Sequence, residues 1–157
     1  MTDDRTNQNV DAVSIDAMGN ILVSYALDQT STGGLSIGED DILNTGDGTI
    51  FFDGNTIFSA TNEDIDAFHY VSATEIYLST TASAGGSGAT WASEDIASWD
   101  GTNFTRYVDA SNLFGNTTAT ASDFNLDALT FIVPEPSRAF LLLCGGFALV
   151  LRRRRSA

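Results

Sequence analysis

The sequence predicts an all-β fold of antiparallel four-stranded repeats, each about 55 residues long, followed by one C-terminal transmembrane helix. Three observations carry this expectation. An ordered chain of matching segments recurs along residues 10–132. Short runs of alternating or β-branched residues within it are separated by Gly, Asn and Asp turns. Beyond them lies an uncharged run, Ala139–Leu151, closed by four arginines.

The recurrence begins with Val10-Asp11-Ala12-Val13, Ile65-Asp66-Ala67-Phe68 and Leu126-Asp127-Ala128-Leu129. The first two continue in register: Ile21, Leu22, Val23 and Ser24 match Ile76, Tyr77, Leu78 and Ser79. Farther on, Gly33-Gly34 answers Gly85-Gly86, and Glu39-Asp40-Asp41-Ile42 answers Glu94-Asp95-Ile96. Gly46-Asp47-Gly48-Thr49 then answers Trp99-Asp100-Gly101-Thr102. Matches kept in one order define an internal repeat. The copies are placed near 10–64 and 65–125, with a partial third from 126 that the tail interrupts after its first strand. Residues 1–9 are expected to be disordered.

Within each copy, Asp11–Ile15 and Asp66–Tyr70 alternate apolar and polar side chains, as a half-buried strand does. Ile21–Leu27 and Glu75–Thr80 follow as second strands, the first after a Gly19-Asn20 turn. Thr30–Gly38 and Ser83–Gly88, rich in Gly and Ser, are expected to be loops. Asp41–Leu43 and Ile96–Trp99 lead into Asp47-Gly48 and Asp100-Gly101, and Asp-Gly between apolar runs is a strong hairpin signal. Thr49–Phe52 and Phe104–Val108 continue as strands, with a further short strand over Ile57–Ser59. No stretch before Val133 has helical periodicity. Four short antiparallel strands in about 55 residues have the size of a β-propeller blade. Two copies and a fragment do not close a propeller, which takes at least about four blades. The chain therefore reads as part of a longer repeat array or as two units packed face to face.

The 157 residues carry a formal net charge of −14, and the asymmetry is steep. All seven basic residues are arginine, and only Arg5 and Arg106 precede Val133, against 20 Asp and Glu, a net of −18. Such a body repels nucleic acid and anionic lipid. It suits divalent cations or simple solubility outside a cell. The single cysteine, Cys144, lies in the apolar run, so the body has neither a disulfide nor a thiolate metal site.

Catalytic groups are sparse, and the expectation is a protein that is not an enzyme. His69 is the only histidine, which excludes a His-rich metal centre, and it sits mid-strand between Phe68 and Tyr70. There is no Gly-x-Ser-x-Gly elbow for a Ser-His-Asp mechanism. The acids at Glu39-Asp40-Asp41, Glu63-Asp64-Asp66 and Glu94-Asp95 recur with the repeat, unlike a lone glycosidase pair. A carboxylate at a strand end accepts backbone N–H groups and holds a turn, and that is the leading reading. The other is oxygen ligation of Ca²⁺, with Asp40, Asp41 and Asp95 as candidate ligands. The Asp-Gly turns lack the Asp-x-Asp-x-Asp-Gly pattern of an EF-hand, so no resident cofactor is expected. Trp91, Trp99, Tyr77 and Phe104 form either a sugar-stacking surface or core, core being the default for a sheet.

The C-terminus has three parts. Pro134 and Pro136 hold Val133 and Glu135 extended, close to polyproline II, which suits an enzyme groove. Ala139–Leu151 spans roughly 20 Å as a helix, short of a bilayer core of about 30 Å. Snorkelling by Arg138 and Arg152 together with local thinning closes that gap, giving a transmembrane helix over about 138–151. Arg152, Arg153, Arg154 and Arg155 stay cytoplasmic, which places the body outside.

Val133-Pro134-Glu135-Pro136-Ser137, the run Ala139–Leu151 and the Arg152–Arg155 cluster together closely resemble the PEP-CTERM sorting signal of Gram-negative bacteria, over 133–157. Arg138 departs mildly from the family pattern, where small or polar residues are usual. The resemblance implies an exosortase, a membrane-embedded sortase-like cysteine protease, as partner, with these residues as its substrate. It implies membrane anchoring through 139–151 before processing. Delivery to the outer surface or to an exopolysaccharide-rich, biofilm-type matrix follows. The competing reading is a tail-anchored protein that stays in the membrane and binds calcium or polysaccharide. A chain with such a tail is expected to carry a secretory signal. The stretch from Met1 to Gln8 has neither a basic nor an apolar region of that kind, so a chain shortened at its front is the expectation.

Overall fold

The computed structural model describes residues 9–31, 34–59, 63–114, 126 and 128–130. These are mostly β, in antiparallel sheets. β1 (Val10–Ile15), β2 (Ile21–Tyr25), β5 (Ile42–Asn44) and β6 (Thr49–Phe52) form one four-stranded meander in that order. β7 (Ile65–Ser72), β8 (Glu75–Thr80), β11 (Ile96–Trp99) and β12 (Phe104–Val108) form a second with the same order. The two Asp-Gly turns close the last hairpin of each sheet. Gly48 and Gly101 have φ of 71° and 92°, a region where a Cβ would be strained. Asp47 accepts the Thr49 N–H at 3.0 Å, and Asp100 accepts those of Thr102 and Asn103 at 2.9 and 2.7 Å. The β1–β2 turn depends on Asp16, whose Oδ1 accepts the N–H groups of Met18 and Asn20, both at 2.8 Å.

Several sequence expectations need correction. β2 ends at Tyr25 rather than Leu27. The glycine- and serine-rich segments are not plain loops. β3 (Gln29–Thr30) pairs with β4 (Ser36–Ile37), and β9 (Ala84–Gly86) pairs with β10 (Ala89–Trp91). Each small hairpin interrupts its sheet between the second and third strands. They are too short to show a period of two, and burial holds them in place. Leu35 and Ile37 pack with Val23, Tyr25 and Leu43, while Ala84 and Trp91 join the main core. Ile57–Ser59 is not a strand: Gly54–Ile57 is one helical turn, α1, closed by the Phe58 N–H on the Gly54 carbonyl at 2.8 Å. Phe58 and Ser59 then join the edge of β9, Ser59 N–H reaching the Gly85 carbonyl at 2.7 Å. A second short turn, α2 (Ala110–Phe114), follows β12. Neither turn has the length for periodicity to show. Asn9 is held, its carbonyl accepting the Ala26 N–H at 3.1 Å, whereas the expected disorder of 1–8 falls outside the described residues. Residues 126 and 128–130 form no strand, although the repeat predicted one there. Among the described residues no helix is long and apolar enough to cross a membrane, and 131–157 lie outside them.

Pairing register sorts the side chains into two faces per sheet. In the first sheet, Ser14, Leu22 and Asn44 share a row on one face, called the front; Val13, Val23 and Leu43 share a row on the back. In the second, His69, Tyr77 and Ser98 are in front, while Phe68, Leu78 and Ala97 stand behind. The sheets pack front on back. Leu22, Ile42 and Phe52 of the first bury against Ile65, Phe68, Ile76, Leu78, Ala97 and Phe104 of the second. Phe52 meets Trp99 edge-on at 5.4 Å between ring centroids, and Phe58 stacks on Phe104 at 5.5 Å. β1 lies against β7, joined by polar contacts across the seam. Ser24 Oγ accepts the Ala12 N–H at 3.1 Å and donates to the Ile65 carbonyl at 3.2 Å; Ser14 Oγ accepts the Tyr70 N–H at 3.1 Å. Ser24 is fully buried, so both bonds are shielded from water.

Candidate functional site

The acids that recur with the repeat divide into two roles. Asp41 and Asp95 occupy the same place in their sheets, directly before the third strand. Asp41 accepts the Gly38 N–H at Oδ2 (2.7 Å) and the Gly54 N–H at Oδ1 (3.0 Å). Asp95 accepts the Ala92 N–H at Oδ2 (3.1 Å) and the Ala110 N–H at Oδ1 (2.9 Å). Each carboxylate thus ties the loop three residues before it to the first residue of the helical turn after the fourth strand. Both are buried, and burial pushes the Asp41 carboxyl up from its ordinary range against the pull of its two N–H donors. Asp95 has a further partner in the Arg106 guanidinium, with Nη1 at 3.5 Å and Nη2 reaching Asp109 at 3.1 Å.

Asp40 is placed differently. It is 3% exposed, and its Oδ1 has only a long contact from Asn55 Nδ2 at 3.4 Å, while Oδ2 has no partner. It lines a cleft of about 330 Å³ bounded by Asp28, Glu39, Asp41, Asp53 and Asn55. Burial, then the charges of Asp41, Asp53 and Asp28, raise its pKa to about 6. Close by, Ile65 N–H donates to the Glu39 carbonyl at 3.1 Å, which brings Glu63 and Asp64 to the same junction. Asp64 is raised to about 7 by burial and by Asp11, Glu39 and Asp66, and its buried Oδ1 lacks a partner. Glu63 is raised by burial and then by Asp40. Among the described residues Arg106 is the only Arg or Lys, and it lies with Asp95 and Asp109 in the other sheet. The junction between the repeats is therefore a concentration of carboxylates with no cationic side chain beside it among the described residues, and it holds protons more tightly than free carboxylates do.

The candidate ligands Asp40, Asp41 and Asp95 do not converge. Two of the three have both oxygens engaged by backbone N–H groups, the role of turn-holding carboxylates. Among the described residues no group of three or more acids, histidines or cysteines is arranged to hold a metal ion. Of these three, Asp40 keeps a carboxylate oxygen without a partner, the buried Oδ2. The aromatic candidates divide as well: Trp91 and Phe104 are buried in the core, with Trp99 packed against it. Tyr77 is half-buried and meets Tyr107 edge-on at 4.7 Å between ring centroids. His69 lies half-buried in β7 on the front of the second sheet. Val133, Pro134, Glu135, Pro136, Ser137 and Arg152–Arg155 fall outside the described residues.

Sequence reasoning missed the serines. Ser24 and Ser79 match within the repeat, and Ser79 Oγ donates to the Leu126 carbonyl at 3.1 Å, as Ser24 does to that of Ile65. Because Ile65 and Leu126 both begin the Asp-Ala motif, the same hydroxyl-to-carbonyl contact is made twice along the chain. The signal was present in the matched Ser24 and Ser79, but strand serines are common and nothing local marks them as buried. Comparison with known protein families, with curated proteins and with solved structures returned no match.

Proposed function

We propose that this chain is an exported, non-enzymatic β-repeat protein, delivered to the outer surface or extracellular matrix by an exosortase-type protease acting on its C-terminal signal. The observation that carries the reading is the order of Val133-Pro134-Glu135-Pro136-Ser137, the uncharged Ala139–Leu151 and Arg152–Arg155. In this reading 138–151 spans the bilayer until processing releases the body, and exopolysaccharide is the setting it reaches. The two four-stranded meanders are blades of an incomplete propeller-like array. The body's chemistry agrees with a scaffold, since its repeated acids, Asp41 and Asp95, hold backbone. Mass spectrometry of the protein exported from a host with the processing enzyme tests the reading. Loss of the segment after the Pro-Glu-Pro motif is expected, and an intact arginine-rich terminus retained in the membrane would overturn it.

A second reading, a calcium- or polysaccharide-binding module retained by its C-terminal anchor, is favoured by one observation, the buried and unpartnered Asp40 Oδ2 in the wall of an acid-lined cleft. Calorimetric titration of the full chain in detergent with Ca²⁺ and with neutral and acidic polysaccharides decides it. Heat that disappears in Asp40→Asn supports calcium at the cleft. Absence of heat with every titrant removes the reading.

A further inference from the structure

The inter-repeat contact is heterologous: the front of one sheet covers the back of the next, which among the described residues leaves the back of the first sheet and the front of the second without a partner sheet. The unmatched back belongs to the first sheet. Its Val10, Val13, Ile15 and Ile21 are 45%, 56%, 62% and 49% exposed. Their counterparts in the second sheet are Ile65, Phe68, Tyr70 and Ile76. Of these, Ile65, Phe68 and Ile76 are 0–2% exposed and Tyr70 is half-buried, because the first sheet lies over them. Equivalent positions are thus apolar in both copies but covered in only one. A contiguous apolar strip on a strongly acidic body is a contact surface rather than scattered exposure.

The molecule also shows which surface fits there. The internal interface has a front-face hydroxyl, Ser24, on the first carbonyl of the Asp-Ala motif, and Phe51 against Tyr70 at 5.6 Å between ring centroids. The second sheet presents the same features on its front. Ser79 replaces Ser24, and Tyr107, 53% exposed, occupies the position of Phe51, each being the bulge residue of its hairpin. Leu126 of the same chain accepts the Ser79 hydrogen bond, at 3.1 Å. Leu126-Asp127-Ala128-Leu129 repeats the pattern of Val10-Asp11-Ala12-Val13, so β1 of another molecule substitutes for it with the Ser79 bond kept.

We propose that the exposed back of the first sheet docks on the front of the second sheet of another copy of this chain, head to tail, with Ile15 of one molecule against Tyr107 of the next. The occupant is a second copy because the complementary surface, down to the buried serine and the bulge aromatic, is carried by the same chain. A back-to-back dimer buries the apolar strips but brings no serine to the Asp-Ala carbonyl. Repetition of the contact forms a ring if the rotation closes and a filament if it does not.

The test uses the full chain with Cys144→Ser, in detergent with micelles in large excess over protein. Ile15→Cys and Tyr107→Cys chains are each exposed to a short bismaleimide crosslinker, alone and mixed. Both positions are exposed, so the substitutions spare the core. Crosslinked dimers in the mixture but in neither chain alone are the expected result. Adding Val13→Glu and Ile21→Glu to the Ile15→Cys chain lowers that yield by about tenfold or more, with the circular dichroism unchanged. Dimers from Ile15→Cys alone would show the back-to-back arrangement and overturn the proposal, as would a mixture that gives no crosslink.

Discussion

Replacing Asp95 with Asn removes one charge and almost no volume, yet it strikes both ends of a backbone tie. Asp95 is 1% exposed, and its oxygens accept the Ala92 N–H at 3.1 Å and the Ala110 N–H at 2.9 Å. An amide offers one oxygen. Whichever way it turns, its NH₂ faces another donor, and on the Oδ2 side it also faces the Arg106 guanidinium, whose Nη1 lies 3.5 Å away. A hydrogen bond to a charged group is worth about 1.5–3 kcal/mol net, and a stranded buried donor costs about 1–3 kcal/mol. These overlap, so the expected loss is about 2–4 kcal/mol. For a body near 100 residues that lowers Tm by about 10–20 °C. Urea unfolding of the full chain in detergent, followed by tryptophan fluorescence, measures the loss, since Trp91 and Trp99 both sit in or on the core. Amide exchange should rise at Ala92 and Ala110 ahead of the sheet interior. A stability within about 0.5 kcal/mol of the parent, or unchanged exchange at those two amides, would refute the view of Asp95 as a backbone tie.

The acid junction has the opposite sign. Asp40 and Asp64, raised to about 6 and about 7, hold more protons when folded than unfolded between about pH 4 and pH 7. Stability therefore falls as pH rises through that window. Asp40→Asn should stabilise the chain by about 1 kcal/mol at pH 8, discounted for the open cleft, and by nothing measurable at pH 4, as read from denaturant midpoints. Ser24→Ala strands the buried Ala12 N–H and Ile65 carbonyl and should cost about 1–3 kcal/mol, with faster exchange along β1 and β7. Ser79→Ala should cost less than about 1 kcal/mol, because its bond to the Leu126 carbonyl is only partly buried, but should accelerate exchange at 126 and 128–130. Pro134→Ala with Pro136→Ala should block removal of the C-terminus while leaving membrane insertion intact, as judged by the mass and the membrane fraction of the product.

Much of this architecture was legible because β-structure writes its period into the chain. Alternation located β1 and β7, and the two Asp-Gly pairs located the hairpins that close each sheet. The order of matching segments placed two similar units one after the other. What escaped was held by burial rather than by local preference. β3, β4, β9 and β10 are two or three residues long, and they exist because their side chains lie down on a sheet. α1 takes up Ile57, the first residue of the Ile57–Ser59 segment that read as strand, and Asp41 fixes its start by capturing the Gly54 N–H from 13 residues away. Asp40, Asp41 and Asp95 looked alike as carboxylates, and only the positions of distant N–H groups separated two ties from one acid left with an unpartnered oxygen.

By itself the sequence determined the β class, the repetition, the acidic body and the three-part tail, all of which follow from residue type and spacing. Only the tertiary structure decided that the sheets stack front on back. That follows from which face each strand turns toward its neighbour, and no local pattern carries that information. The same packing made Phe68 and Ile76 core and left their counterparts Val13 and Ile21 at the surface, although the four occupy equivalent places in the chain.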